Sequence, residues 1–383
     1  MSHNALLLFG ATDFASAGFS GDLLWRSGFR APDPFFLVEI DGKTHLLISP
    51  LEYGRAIKEA RVDEVVLLDP YVNRSGRKGS TAGVSLFLKE HGVSRLRVPG
   101  SFPLALAEKL KGDFELAAVE GSLYPKRRGK TAWEVEEIIK AQRAVEKALN
   151  AARAFLAASR IEGDTIIAEG KTLTSETLRA IIDRTLYGLG YLGLGTIVAG
   201  GVQAADPHCA GKGPLPAKAP IVVDVFPLSL ETHYYADHTR TFFKGKPSKE
   251  LAKMYEAVRR AQELGVSQVR HGASGRAIQE SVKQFFDDEG YPTSFSGDSP
   301  EGFIHGVGHG VGLEIHEHPR ISSVDDTLEE GDVVTVEPGL YYPRPKGAIP
   351  AGGIRIEDIV VVEKGGCRDI STTAKGLDWA VIL

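Results

Sequence analysis

Four acidic residues stand inside runs that otherwise read as buried β-strands. Asp224 lies in Pro220-Ile-Val-Val-Asp224-Val-Phe, Asp237 in Tyr234-Tyr-Ala-Asp237-His-Thr-Arg240, Glu337 in Asp332-Val-Val-Thr-Val-Glu337-Pro, and Glu357 in Gly353-Ile-Arg-Ile-Glu357-Asp-Ile-Val. β-branched runs of this kind belong in a sheet covered by other layers, and a carboxylate among them is costly unless it is paired or binds a cation. Asp224 and Asp237 are close enough in sequence to occupy two strands of one hairpin and face each other, where, left unpaired, they would repel. A salt bridge to Arg240 or to another buried arginine is one way to hold them. A bound cation is the other, and the recurrence of the same anomaly at Glu337 and Glu357 favours it.

Eight of the eleven histidines fall between residues 208 and 318. The most informative stretch is His305-Gly-Val-Gly-His309-Gly-Val-Gly-Leu-Glu-Ile-His316, in which Gly306, Gly308, Gly310 and Gly312 occupy every second position. In an extended strand these glycines share one face and admit another backbone or a substrate, while His305 and His309 project from the other. His316 is off that register and reaches the same site only if the strand ends, bends or bulges near Leu313. A turn-rich loop with solvated histidines is the plainer alternative. Four carboxylates and one imidazole form a ligand set of four negative charges, which two divalent cations would cancel. Such oxygen-rich ligation suits Mn²⁺, Co²⁺ or Fe²⁺ in five- or six-coordinate geometry, and a hydrolytic two-metal centre is the natural reading.

Composition narrows the alternatives. Cys209 and Cys367 are the only cysteines in 383 residues, so neither a disulfide framework nor a four-cysteine metal site is open to this chain. With 45 basic against 50 acidic residues the net charge is −5, which gives no footprint for nucleic acid or an acidic membrane surface. The apolar start Ala5 to Phe9 is shorter than a signal-peptide core, and no run of about 18 apolar residues occurs, so a cytoplasmic protein is expected. Gly188-Leu-Gly190-Tyr-Leu-Gly193 fits the dinucleotide pattern but follows a helix-like segment, whereas that fingerprint follows a strand. No phosphate-binding Gly-Lys-Ser/Thr loop, nucleophile elbow or His-Glu-x-x-His helix is present.

Two unequal domains are expected, residues 1–125 and 126–383. In the first, short β-rich runs at 35–40, 44–49, 64–68, 95–99 and 114–119 alternate with helical segments, which predicts an α/β domain. The pattern stops near the cations Lys126, Arg127, Arg128 and Lys130. Thr131 and Glu134 then have capping-box spacing, followed by Val135, Ile138, Ile139, Val145, Leu149, Ala152 and Leu156 on one helical face. Further helices are predicted at about 175–187, 248–270 and 275–288, and strands at about 195–202, 220–226, 233–243, 303–316, 332–337 and 353–362. Helices gathered first and strands later predict an α+β layer.

These residues resemble the pita-bread metallopeptidases, which include prolidase, aminopeptidase P and methionine aminopeptidase. Five motif pieces occur in the family's order across the whole second domain, and the preceding domain is similar to the creatinase-like amino-terminal domain of prolidases and aminopeptidases P. The resemblance implies that Asp224 binds one metal in bidentate fashion, Asp237 and Glu357 bridge two, and His309 with Glu337 hold the other. It makes Glu337 the proton carrier, His316 the donor to the scissile carbonyl, and His208 and His305 substrate-side histidines. Asp224 and Asp237 are 13 apart, two residues more than the family's usual spacing, which a longer connection around Pro227 to Thr232 absorbs.

The implied activity is hydrolysis of the Xaa-Pro bond with Mn²⁺ or Co²⁺ as the expected metals and Zn²⁺ or Fe²⁺ as further candidates. The alternatives are an aminopeptidase P acting on longer peptides and, remotely, a metal-free binding protein on the same fold. Arg320, four residues after His316, matches the position of a carboxylate-binding arginine in prolidases, which favours dipeptides. A surface arginine in a turn started by Pro319 is the alternative there. A homodimer is expected from the family's habits.

Overall fold

A computed structural model describes residues 3–296 and 298–383. The chain divides into two compact units, Met1–Arg127 and Arg128–Leu383.

The first unit is built on a mixed six-stranded sheet in the order Glu64–Leu67, Lys43–Ile48, Phe35–Ile40, His3–Gly10, Val93–Pro99, Glu115–Val119. Strand alternation gives the sheet two apolar faces. Leu7, Phe36, Val38, Leu47 and Leu96 join one core with Val84, Phe87 and Leu88 of the helix Ser80–Glu90. Leu8, Phe35, Leu37 and Leu46 join the other with Leu23 and Phe29. Both faces are therefore buried, as an α/β layer requires. The opening apolar run Ala5 to Phe9 lies in a central strand of this sheet.

The second unit opens on the helix Ala132–Ala158, whose capping box is complete: the Thr131 hydroxyl accepts the Glu134 N–H at 3.3 Å, and Glu134 Oε2 accepts the Thr131 N–H at 2.7 Å. The helices Ser175–Gly188, Lys249–Gln268 and Gly275–Asp288 follow within two residues of their predicted ends. One sheet of four strands runs Ile197–Gly200, Ile221–Val225, His238–Lys244, Val381–Ile382. A second, of five, runs Glu317–Ile321, Gly308–Gly310, Val333–Val336, Asp358–Val362, Cys367–Asp369. Met254, Tyr255, Val258, Ile278, Val282 and Phe286 of two helices pack on Val334, Val336, Ile354, Ile356 and Val360. By alternation, Thr335, Glu337, Arg355 and Glu357 are turned away from that core. Among the described residues no helix is long and apolar enough to cross a membrane.

Three expected strands differ. The segment 353–362 is two strands, Gly352–Arg355 and Asp358–Val362, broken at Ile356 and Glu357. The first pairs with Gly339–Tyr342 and the second with Val333–Val336, so the chain changes sheets at Glu357. The strand expected over 233–243 begins at His238. Only Gly308–Gly310 of 303–316 is strand, the stretch that pairs with Glu317–Ile321 and Val333–Val336; there a Cβ at Gly308 would collide with the Thr335 carbonyl, and one at Gly310 with the His318 carbonyl.

Candidate metal centre

Asp224 and Asp237 come together through the antiparallel pairing of Ile221–Val225 with His238–Lys244, in which Asp224 is opposite Thr239. Asp237 lies two residues before Thr239 and so shares its face. The connection between them is more than a long turn. Pro227–Ser229 leaves the hairpin as a separate strand paired with Tyr191–Gly193, and Leu228 bridges Tyr235 on the way back. This excursion holds the extra residues and returns Asp237 beside Asp224.

Glu357 is delivered by the break between its two strands. Arg240, fully buried, donates from Nη1 to the carbonyls of Glu357 at 2.6 Å and Thr239 at 2.9 Å, and from Nη2 to Asp358 Oδ1 at 2.6 Å. The Thr239 hydroxyl donates to Glu357 Oε2 at 2.7 Å. Arg240 thus supports the acidic pair from behind and pairs with Asp358; the arginine that pairs with Asp224 is Arg355, whose Nη2 donates to Asp224 Oδ2 at 2.7 Å.

His309 lies on Gly308–Gly310 with Nε2 at 3.2 Å from Glu337 Oε1 and 3.6 Å from Asp237 Oδ2. Ligand atoms of Asp237, His309 and Glu357 all fall within 4.8 Å of one another. His316 reaches the same place because the chain bends after Val311, and its ring meets that of His309 edge-on, with centroids 4.4 Å apart. His305 Nε2 is 2.8 Å from the Tyr341 hydroxyl, which accepts from Arg355 Nη1 at 2.9 Å. Arg320 is not in a turn: it lies in the strand Glu317–Ile321, directly across from His309. With His208 from the loop after Gly201–Ala205, all nine expected site residues line a cavity of about 770 Å³.

With all four carboxylates ionised, the Arg355 guanidinium would leave three negative charges in largely buried surroundings. Burial, and then the charges of Glu357, Asp224 and Glu337, push the Asp237 carboxyl well above its usual range. Burial followed by the charges of Glu337 and Asp224 does the same to Glu357. Glu337 goes the other way: burial would raise it, but the hydrogen bond and charge of His309, with His305 and Arg355 beyond, hold it at about 2. Desolvation and then the neighbouring His309 push His316 down to about 4, so its ring is neutral near pH 7, and burial lowers His305. Asp224 Oδ1 and Glu357 Oε1 are buried without a hydrogen-bond partner. Clustered carboxylates with free buried oxygens beside an imidazole are a donor set that fits hard or intermediate divalent cations.

Arg355 and Tyr341 escaped sequence reading. Arg355 lies two residues before Glu357 and on the same strand face, which was a usable signal; nothing in the sequence points Tyr341 at it. Phe226, Ile304, Ile315 and Val324 add apolar surface to the cavity lining.

The model of metallopeptidase family M24 matches residues 136–364. The Xaa-Pro dipeptidase of Pyrococcus horikoshii is 31% identical over 291 residues, 75% of each chain. The prolidase structure from Pyrococcus furiosus is 25% identical with a TM-score of 0.76, covering 97% of this chain and 96% of that one. The X-Pro aminopeptidase structure from Thermotoga maritima is 24% identical with a TM-score of 0.78, covering 98% and 97%, and shows the shared fold. With that match and these relatives, the chain belongs to metallopeptidase family M24, in its branch of prolidases and aminopeptidases P.

Proposed function

We propose that this peptidase hydrolyses Xaa-Pro dipeptides at a centre of two divalent cations held by Asp224, Asp237, His309, Glu337 and Glu357. The observation that carries the reading is the convergence of those five groups, two with free buried oxygens, in one cavity with Arg320. Bound there, the cations would activate water and polarise the scissile carbonyl, and the oxygen-rich set suits Mn²⁺ or Co²⁺. Because Arg355 already neutralises part of the cluster, two divalent ions leave one positive charge over, matched to negative charge developing on the substrate.

The side chains supply the remaining steps. Glu337, ionised, accepts a proton from the attacking water on its carboxylate and delivers it to the leaving nitrogen. His316, neutral, donates an N–H to the carbonyl oxygen as it gains charge. His208 and His305, which line the cavity, are assigned to contacts with the substrate. The leaving proline brings an apolar ring and no amide N–H, so Phe226, Ile304, Ile315 and Val324 can flank it without a backbone acceptor. Arg320, on the strand beside His309, reads the free carboxylate of a dipeptide.

Comparing Ala-Pro with Ala-Pro-Ala tests the assignment. The dipeptide should be cleaved well and the tripeptide poorly, and Arg320→Ala should cost the dipeptide about ten- to a hundredfold in kcat/KM while sparing the tripeptide. Efficient cleavage of the tripeptide by the wild-type chain would make it an aminopeptidase P instead. We propose a homodimer as well, which sedimentation at micromolar concentration would check; every proposed ligand comes from one chain.

A further inference from the structure

Lys130 and Glu317, 187 residues apart, form a buried ion pair, with Glu317 paired across the sheet with Gly310, the neighbour of His309. Nζ donates to Oε2 at 2.8 Å, and the side chains are 2% and 7% exposed. Lys130 immediately precedes the Thr131 cap of the long helix, and its backbone N–H is fixed to the Gly331 carbonyl at 2.9 Å. Glu317 immediately follows His316. Its second oxygen accepts the N–H of Glu314 at 3.1 Å, so one carboxylate closes the bend from Gly312 to Glu317 and ties it to the helix start. The fit is close, since a Cβ at Gly312 would lie 2.6 Å from Glu317 Oε2. The Gly312 carbonyl also accepts the Tyr235 N–H at 2.9 Å, two residues before Asp237.

A buried ion pair is a poor way to gain stability, because a well-packed apolar pair does as well or better. What a paired carboxylate adds is direction: it must point at both its donors, and that fixes the backbone carrying it. His316 is the residue this would serve. Its side chain faces the cavity and leans on His309, so the ring is aimed chiefly by the backbone of the bend.

We propose that Lys130 is a positioning residue for His316, acting through Glu317 and the bend from Gly312 to Glu317. The proposal rests on the reading of His316 as donor to the scissile carbonyl, and the test separates the two.

The test is a double-mutant cycle on the metal-loaded full chain with Ala-Pro, using Lys130→Met, His316→Ala and their combination, with kcat, KM, metal content and melting temperature recorded. Lys130→Met should lower kcat on the order of ten- to a hundredfold, as small misplacements do, with KM and metal content little changed. In the His316→Ala background it should cost nothing further, because the residue it positions is gone. Should Lys130→Met, which takes the lysine charge from beside Glu317, fail to fold, Lys130→Met with Glu317→Gln removes both charges and takes its place, with the same expectation. Equal loss of kcat in both backgrounds, or an unchanged kcat in the wild-type background, would overturn the proposal while leaving His316 in its role. Full activity of His316→Ala alone would overturn that role and this proposal with it.

Discussion

Arg355 donates to Asp224 across 2.7 Å with both side chains buried, so the carboxylate cluster carries a cation of its own. In the metal-free chain Arg355 is the guanidinium that offsets Asp224; with divalent ions bound, Asp224 has a second cation partner. Arg355→Ala should therefore destabilise the chelated protein by about 3–5 kcal/mol, the cost of stranding a buried charge, and the metal-loaded protein by distinctly less. Urea unfolding with chelator and with saturating Mn²⁺ measures both. The same loss in the two conditions would mean that no cation reaches Asp224.

Asp237→Asn separates the needs of the fold from those of the site. Burial and the neighbouring carboxylates raise the Asp237 carboxyl, so the folded chain holds that proton more tightly than the unfolded chain. The stability this contributes is present below the ordinary carboxylate value of about 4 and is lost as pH rises through the raised value. Asparagine has no such loss. Without metal, Asp237→Asn should be more stable than wild type by a margin that grows with pH, and saturating Mn²⁺ should reverse the order. A margin that is flat or shrinks with pH in chelator would contradict the raised carboxyl.

Glu337 and His316 lie in one cavity and should fail differently. On the proposed roles, Glu337→Ala takes away a ligand and the proton carrier together, so turnover should vanish and metal content fall. His316→Ala should keep its metal and lose on the order of 10²- to 10³-fold in kcat, the usual cost of one oxyanion donor. Steady-state kinetics paired with elemental analysis on each variant distinguishes the two. Near-wild-type turnover by His316→Ala would remove it from the mechanism.

The acidic anomalies were legible because a charge in a β-branched run conflicts with its surroundings, and that conflict can be read from a single strand. The α/β sheet of the first unit was legible for a similar local reason, the alternation of short apolar runs with helical ones. Non-local events were not. The switch of sheets at Glu357 depends on Arg240 reaching the Glu357 and Thr239 carbonyls, and the place of Arg320 beside His309 depends on a pairing between Gly308–Gly310 and Glu317–Ile321. The Gly-x-Gly alternation announced a close approach without saying by what; Gly308 and Gly310 admit neighbouring backbone. The register of Arg355 marked it as a neighbour of Glu357, but its partner was not legible, because the bond to Asp224 joins residues 131 apart.

On the proposed reading, Xaa-Pro hydrolysis requires two divalent ions at the cluster of Asp224, Asp237, His309, Glu337 and Glu357. Titrating chelated, dialysed protein with Mn²⁺ while following both Ala-Pro hydrolysis and bound metal tests it most directly. Activity should be absent at the start, and bound metal should level off near two ions per chain as activity reaches its plateau, with Asp224→Ala and Glu357→Ala abolishing both. Full hydrolysis by the chelated chain, or a plateau reached with no metal bound, would contradict the claim.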